Sequence, residues 1–382
     1  MERPLRILHV VTHMGPSGGG VPIWLMHVMR RIDRSRYQFD FLVHTNETQS
    51  FDAEVTALGG RILRCPSPKQ IWTYGSKFRD ALMERGPYDV LHSHVLFTGH
   101  VMRHARKCGV PVRIAHSHSD RAGFRADGHS LHGAYLRWTN RWVNRDATHG
   151  LACSRTAAHA LFGETRDTDA RYQLLYYGID LSLFGLRLDS NQVREELGLR
   201  SGELVVGHVG RFQPQKNHEL LFRIFRLLKE RLPTARLLLI GDGPLRDKLR
   251  LLAVALGIER SIVWAGVRPD VARLMRGAMD VLLLPSRYEG LPLVGIEAQA
   301  AGLPLVVSEA IDPDMDVIPQ IKRVAVNADL STWVEAVISA FEMTRPDPKA
   351  SLEAVAARFD IALSIDNIAH FYDAAIAEVA GR

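Results

Sequence analysis

Residues 281–308, VLLLPSRYEGLPLVGIEAQAAGLPLVVS, restrict the fold more than any other stretch. Val281 to Leu284 are an apolar run short enough for a strand buried on both faces. Pro285, Gly290 and Pro292 then break the chain into a turn. From Leu293 the apolar positions Val294, Ile296, Ala298 and Ala301 predict a packed helix, stopped by Gly302 and Pro304. A second apolar strand, 305–307, follows. Strand, loop, helix and strand in that order are a unit of a parallel sheet. It carries Glu289 ahead of the helix and Glu297 about one turn inside it. A helix start offers free N–H groups and a positive dipole end, so a phosphate between the two glutamates is one reading. Acids placed only to complement that dipole are the other.

A chain of 382 residues is too long for one ordinary core, so two domains are expected. Hydrophobic content of 46% and charged content of 24% belong to a soluble globular protein. A formal charge of +6 and a pI near 9.3 favour acidic partners such as nucleotides or phospholipid surfaces. Nucleic acid is not expected, because no binding motif accompanies the charge. Cys65, Cys108 and Cys153 are odd in number and far apart, which points to a reducing compartment. The first apolar run, residues 7–11, reads as a strand rather than a signal peptide, and no run reaches the ~20 residues of a membrane helix. A cytoplasmic location follows as the expectation.

Strand 5–11 empties into Gly18-Gly19-Gly20 ahead of a helix at 21–31. Three consecutive glycines let backbone approach a phosphate or sugar, although their spacing is not that of a dinucleotide fingerprint. Two later strands end in paired histidines, His92-Ser93-His94 and His116-Ser117-His118. In a doubly wound sheet both are aimed at the crevice beyond the strand ends, where contact with a hydroxylated substrate is the leading reading. Structural hydrogen bonding is the second reading, and metal the last, because without carboxylates nearby the two pairs are a weak metal signature. Between Arg121 and Arg145 the chain turns basic and aromatic. Trp138 and Trp142 share one helix face, to be buried in the core or laid on an anionic bilayer, with the core favoured. A polar segment, 181–200, is the domain linker. A second half then opens with strand 204–209 and the loop from Gly210 to Asn217. There Arg211 and Lys216 stand where cations would clamp a diphosphate; each taken singly is also ordinary surface charge.

In this order the motifs resemble the retaining GT-B glycosyltransferases of family four. They are the glycines 18–20, the Tyr-Gly-Ile-Asp run at 177–180, Gly210-Arg211 with Lys216, Gly241-Asp242-Gly243, and Glu289 to Glu297. The stretches VRIAHSH at 112–118 and GHVGRF at 207–212 look most like the branch making capsular and exopolysaccharides. The resemblance implies an α/β GT-B fold, two doubly wound Rossmann-like domains facing each other across a cleft. Residues 1–182 would be the acceptor-side domain, 183–357 the nucleotide-sugar domain, and 358–382 a helix packing back on the first.

It also implies roles. Arg211 and Lys216 would hold the donor diphosphate, Glu297 the ribose, and Glu289 the donor sugar. Gly290, Leu291, Pro292, Leu293 and Val294 would bring backbone N–H groups to the distal phosphate, and Val267 and Arg268 would sit by the base. Gly19 and Gly20 would approach the diphosphate, while His94 and His118 face the acceptor. Glu289, Lys216, Arg211, His118 and His94 form the implied catalytic set, with no metal and no cofactor. Partners would be a nucleotide sugar, a UDP-sugar first, a saccharide or lipid-linked acceptor, and the anionic inner face of the membrane. The family has Asn where Tyr177 stands and Glu near Val21 and Pro22. A sugar-nucleotide epimerase and a non-catalytic polyanion- or membrane-binding protein are the rival readings. Because Lys216 follows a strand in a loop, its truncation is expected to leave folding nearly untouched.

Overall fold

Parallel strands cannot be joined by tight turns, so each one here is followed by a helical or looped crossover, and the strands' apolar runs are buried on both faces. The computed structural model describes residues 3–15, 19–67, 70–119, 131–163 and 169–381, without the side chains of residues 71 and 131–137. The described chain divides into two units, one of residues 1–178 with 361–382 and one of 179–360.

The first unit holds strands β1 (Leu5–Val11), β2 (Tyr37–Val43), β3 (Ile62–Arg64), β4 (Val90–Ser93), β5 (Val112–Ser117), β6 (His149–Ala152) and β7 (Tyr172–Leu174). They form one parallel sheet in the order β3-β2-β1-β4-β5-β6-β7. The order reverses between β1 and β4, where Ile7 faces Val90 and His9 faces His92. The second unit holds β8 (Val205–Val209), β9 (Arg236–Ile240), β10 (Ile262–Gly266), β11 (Val281–Leu284), β12 (Leu305–Ser308) and β13 (Ile321–Val324), ordered β10-β9-β8-β11-β12-β13. Its reversal lies between β8 and β11.

The crossings between units fall at Gly178–Ile179 and Asp360–Ile361, against 182 and 357 in the sequence reading. Ile179 pairs with Asp360 as an isolated parallel bridge, and its N–H donates to Phe359 O at 2.9 Å. That pairing ties both connecting segments into the second unit. The last helix, Ile361–Ala380, belongs to the first unit. Trp24 Nε1 donates to Ser364 Oγ at 3.0 Å, Tyr37 Oη to Asp373 Oδ1 at 2.8 Å, and His149 Nε2 lies 3.0 Å from Glu378 Oε2.

Two helices and a strand that periodicity did not reveal complete the layers. Helix Thr98–Lys107 buries Thr98, Gly99 and His100 beside Val101, Met102 and Ala105, so half of its core face is polar or featureless by residue type. Helix Arg155–Phe162 is marked chiefly by Ser154, whose side chain accepts from Ala157 N. Strand β13 is an edge strand, and Ile321, Lys322 and Arg323 stay partly exposed. The two tryptophans of helix Leu131–Asp146 differ. Trp138 is 50% exposed, whereas Trp142 is half-buried, edge-on to the buried His100 at 4.9 Å and with the Arg103 guanidinium 4.6 Å from its ring centroid. Among its described side chains, Thr139, Val143 and Asp146 are buried. Arg121 and Arg125 lie outside the described residues, as do the side chains of Tyr135 and Arg137.

Helices Thr98–Lys107 and Leu131–Asp146 touch backbone to backbone at Gly99, where a Cβ would stand 2.1 Å from Thr139 O. Gly99→Ala must push the helices apart and should cost about 2–3 kcal/mol, read as a lower urea midpoint at unchanged slope.

Candidate active site

The second unit's reversal brings the β8 and β11 loops side by side, and the side chains there are tightly constrained. Lys216 folds over Gly210, where a Cβ would come 3.1 Å from Lys216 Cε, so the glycine makes room for the lysine stem. Asn217 takes the left-handed conformation (φ 54°), and its Nδ2 donates to Pro285 O at 3.1 Å. Arg287 N donates to Gln215 O at 2.8 Å, and Ser308 Oγ to Ser286 O at 2.6 Å. The glycines of Gly241-Asp242-Gly243 serve loop packing. A Cβ on Gly241 would meet Gly210 O at 2.1 Å, and one on Gly243 would meet Phe212 O at 2.6 Å.

Within this frame Lys216 Nζ donates to Glu289 Oε1 at 2.6 Å, and Gln215 Nε2 donates to Glu289 Oε2 at 3.0 Å and to Tyr288 O at 3.0 Å. Both members of the ion pair are largely buried, with 13% and 8% of their side chains exposed. Truncating Lys216 therefore leaves a buried carboxylate unpaired, and the expectation that folding would not notice is overturned. Gln215 was not singled out from the sequence; only its place between Arg211 and Lys216 could have flagged it. An ammonium has three donors and one is used here, so Lys216 can still donate to a phosphate while holding Glu289. Arg211 is exposed on the same loop.

Helix Leu293–Ala300 follows Glu289 and Gly290 after Leu291 and Pro292. Pro292 is its N-cap, without a side-chain cap, and its O accepts from Gly295 N at 2.9 Å. The first-turn N–H groups of Leu293 and Val294 have no acceptor inside the helix, as at any helix start, and can meet an anion. Gly290, Leu291 and Pro292 are buried beneath them. Gln299 locks the helix: its Nε2 donates to Met315 O at 2.8 Å, and its Oε1 accepts from Val317 N at 2.7 Å. Val267 is 71% exposed, whereas the Arg268 guanidinium is taken up by Asp270 through bonds of 2.7 and 2.8 Å.

In the first unit Gly19 adopts φ 84°, a left-handed conformation natural to glycine, and caps helix Gly20–Arg31. Both Gly19 and Gly20 are exposed; Gly18 lies outside the described residues. His94 and His118 both stand at the strand ends, but neither ring nitrogen of either is left over. His94 Nδ1 is 2.9 Å from His118 Nε2, His94 Nε2 is 3.0 Å from His9 Nδ1, and His118 Nδ1 meets Tyr177 Oη. Tyr177 stands where the family has Asn, and it closes this row of rings.

Glu297 keeps some exposed surface, yet burial lifts its carboxyl to about 7. The unfolded chain releases that proton near the ordinary carboxylate value, while the folded chain holds it to about pH 7. The contribution is thus fully present below the ordinary value and is lost as pH rises to 7. The fall should be about 2 kcal/mol after discounting for solvent, and Glu297→Gln should flatten it in urea midpoints measured from pH 4 to 8.

Comparison with known proteins identifies the family. The family described as glycosyl transferases group 1 matches residues 189–351, and a glycosyl transferase 4-like domain matches residues 19–178. A putative glycosyltransferase EpsF of Bacillus subtilis is 35% identical over 350 residues, 89% of this chain and 89% of the relative. An Escherichia coli UDP-Gal:alpha-D-GlcNAc-diphosphoundecaprenol alpha-1,3-galactosyltransferase is 27% identical over 59% of each chain. Among solved structures, Anabaena Alr3699/HepE in complex with UDP-glucose shares the fold, with a TM-score of 0.78, 20% identity and coverage of 97% of this chain and 100% of that one. With both halves matched and a relative aligned along most of its length, the chain belongs to the group 1 glycosyltransferases and is a glycosyltransferase.

Proposed function

We propose that the enzyme moves a sugar from a UDP-sugar to a hydroxyl of a saccharide or lipid-linked saccharide, with retention, in the synthesis of a capsule, exopolysaccharide or other surface glycan. The observation carrying this reading is the Lys216–Glu289 pair set against the start of helix Leu293–Ala300 at the sheet reversal. The comparisons lend it support: relatives are named as a galactosyltransferase using UDP-Gal and as EpsF, and HepE is found with UDP and UDP-glucose.

Leaving-group departure puts negative charge on the nucleoside diphosphate. Lys216, already held by Glu289, would stabilise that charge together with Arg211 and the helix N–H groups. Transfer on this account needs no metal. Glu289, with both oxygens engaged, orients the donor sugar and is not a nucleophile. The acceptor hydroxyl attacks from the leaving group's own side, and the departing phosphate takes its proton. An epimerase on the same fold would need no acceptor, so product analysis with and without one separates the two.

Among the described residues no helix is long and apolar enough to cross a membrane. A lipid-linked acceptor would be met at the inner membrane face, with the protein, of formal charge +6, attached through basic charge at about 1 kcal/mol per Lys or Arg near an anionic surface. Vesicle sedimentation should show binding that requires anionic lipid and fades with salt; equal partitioning onto neutral vesicles overturns it.

UDP should raise the melting temperature more than GDP or dTDP, by mass action on the folded state. The reverse order removes the UDP assignment. Lys216→Ala should lower turnover about a hundredfold, roughly 3 kcal/mol of transition-state stabilisation. It should also cost about 3 kcal/mol of folding stability, because Glu289 loses its partner. Adding Glu289→Gln should return the stability and leave turnover low. A Lys216→Ala enzyme that turns over like the parent would discard the donor site.

A further inference from the structure

Strands β8, β9 and β10 advance one way across the second unit's sheet, whereas β10, β11 and β12 advance the other. Right-handed crossovers therefore put helices His218–Arg231 and Arg246–Ala255 on one face and helix Leu293–Ala300 on the opposite one. The first two helices leave loops that are pinned together at Phe212. Its N–H donates to Asp242 O at 2.9 Å, and its O accepts from Leu245 N at 3.1 Å. Between the two helices lies a groove of about 560 Å³.

The lining of this groove divides by polarity. Leu245, Leu249 and Leu252 give it an apolar wall, and Leu251 beside them is 73% exposed. His218 belongs to the same lining. Burial, with His208 and Lys216 nearby, pushes its imidazole down to about 2, so the ring adds no charge at ordinary pH. Lys248 and Arg287 are exposed and also line the groove. Against them stands one carboxylate, Glu219, which Arg223 already holds through a bond of 2.7 Å. The lining thus sets two cations beside a leucine surface.

We propose that this groove binds an aliphatic phosphate monoester, its chain on the leucines and its phosphate between Lys248 and Arg287. Charge selects the head group. A phosphate monoester carries about −1.5 to −2 at pH 7, close to the sum of the two cations, whereas a fatty carboxylate carries a single charge. The planar guanidinium suits a pair of phosphate oxygens, and the ammonium adds a point charge beside it. The chain would withdraw Leu251 from water, the contact that stabilises apolar burial. Gln213, Pro214 and Asn217 border the groove, and Gln215 and Lys216 of the same turn hold Glu289. The occupant would therefore touch the turn carrying Lys216 from the face opposite helix Leu293–Ala300. It does not depend on the donor proposed above.

Calorimetry on the full-length protein tests this with octyl phosphate, octanoate and 1-octanol, each below its micelle concentration, and with inorganic phosphate as control. One equivalent of octyl phosphate should bind, octanoate about tenfold more weakly, and octanol and inorganic phosphate not measurably. Lys248→Glu and Arg287→Gln should each weaken octyl phosphate about tenfold, and Leu251→Asp should do so from the chain side. All three positions are exposed, so the variants should keep the parent's urea midpoint. Saturating UDP should leave octyl phosphate binding in place, and the variants should bind UDP as the parent does. A parent that takes octyl phosphate but no UDP fails the donor reading alone. Absence of octyl phosphate binding, equal binding of octanol, binding unchanged in Lys248→Glu and Arg287→Gln, or displacement by UDP overturns the groove as a phosphate-lipid site.

Discussion

Everything here hangs on the parallel sheet. Because parallel strands need crossovers, every strand of a unit ends at the same edge, and the loops leaving those ends are gathered there. Where strand order reverses, two neighbouring crossovers depart to opposite faces and leave a crevice. In the second unit that crevice separates β8 from β11, and the loops flanking it carry Lys216 and Glu289. In the first unit it separates β1 from β4, with Gly19 after one and His94 after the other. Residues more than seventy positions apart in sequence meet because topology leaves their loops one place to go.

The same constraint explains why the donor loop is rigid. Its backbone polar groups cannot join the sheet, so they are met by Asn217, Gln215 and Ser308. Two glycines in the β9 loop let it press against the β8 loop without a Cβ in the way. Lys216 and Glu289 thus face each other before any ligand arrives, the preorganisation that charge stabilisation demands. Orienting them at the moment of reaction would cost part of what they contribute.

The histidines show the other consequence of a flat, buried face. Side chains two apart on a strand share a face, and register lays neighbouring strands' residues beside them, so two H-x-H pairs and His9 become one sheet of rings. Buried imidazoles satisfy one another's nitrogens in files, and a file must end somewhere. Tyr177 and Tyr372 end two of the tips, while His9 Nε2 and His116 Nε2 are left over.

Local pattern alone determined much of this protein. Apolar runs, glycine stops and helix periodicity placed strand Val281–Leu284, helix Leu293–Ala300 and the loops bearing Arg211, Lys216 and Glu289, because each depends on residues near in sequence. Helix Thr98–Lys107 escaped because the residues it buries include Thr98, Gly99 and His100, whose fit is set by the facing Thr139 backbone. Strand β13 escaped because an edge strand need not be apolar. The Lys216–Glu289 bond, the role of Gln215, the commitment of Arg268 to Asp270 and the surface position of Trp138 were decided only by tertiary structure. Each is a question of which distant atom lies within a few ångströms, and that distance is set by strand order and register rather than by the residues on either side.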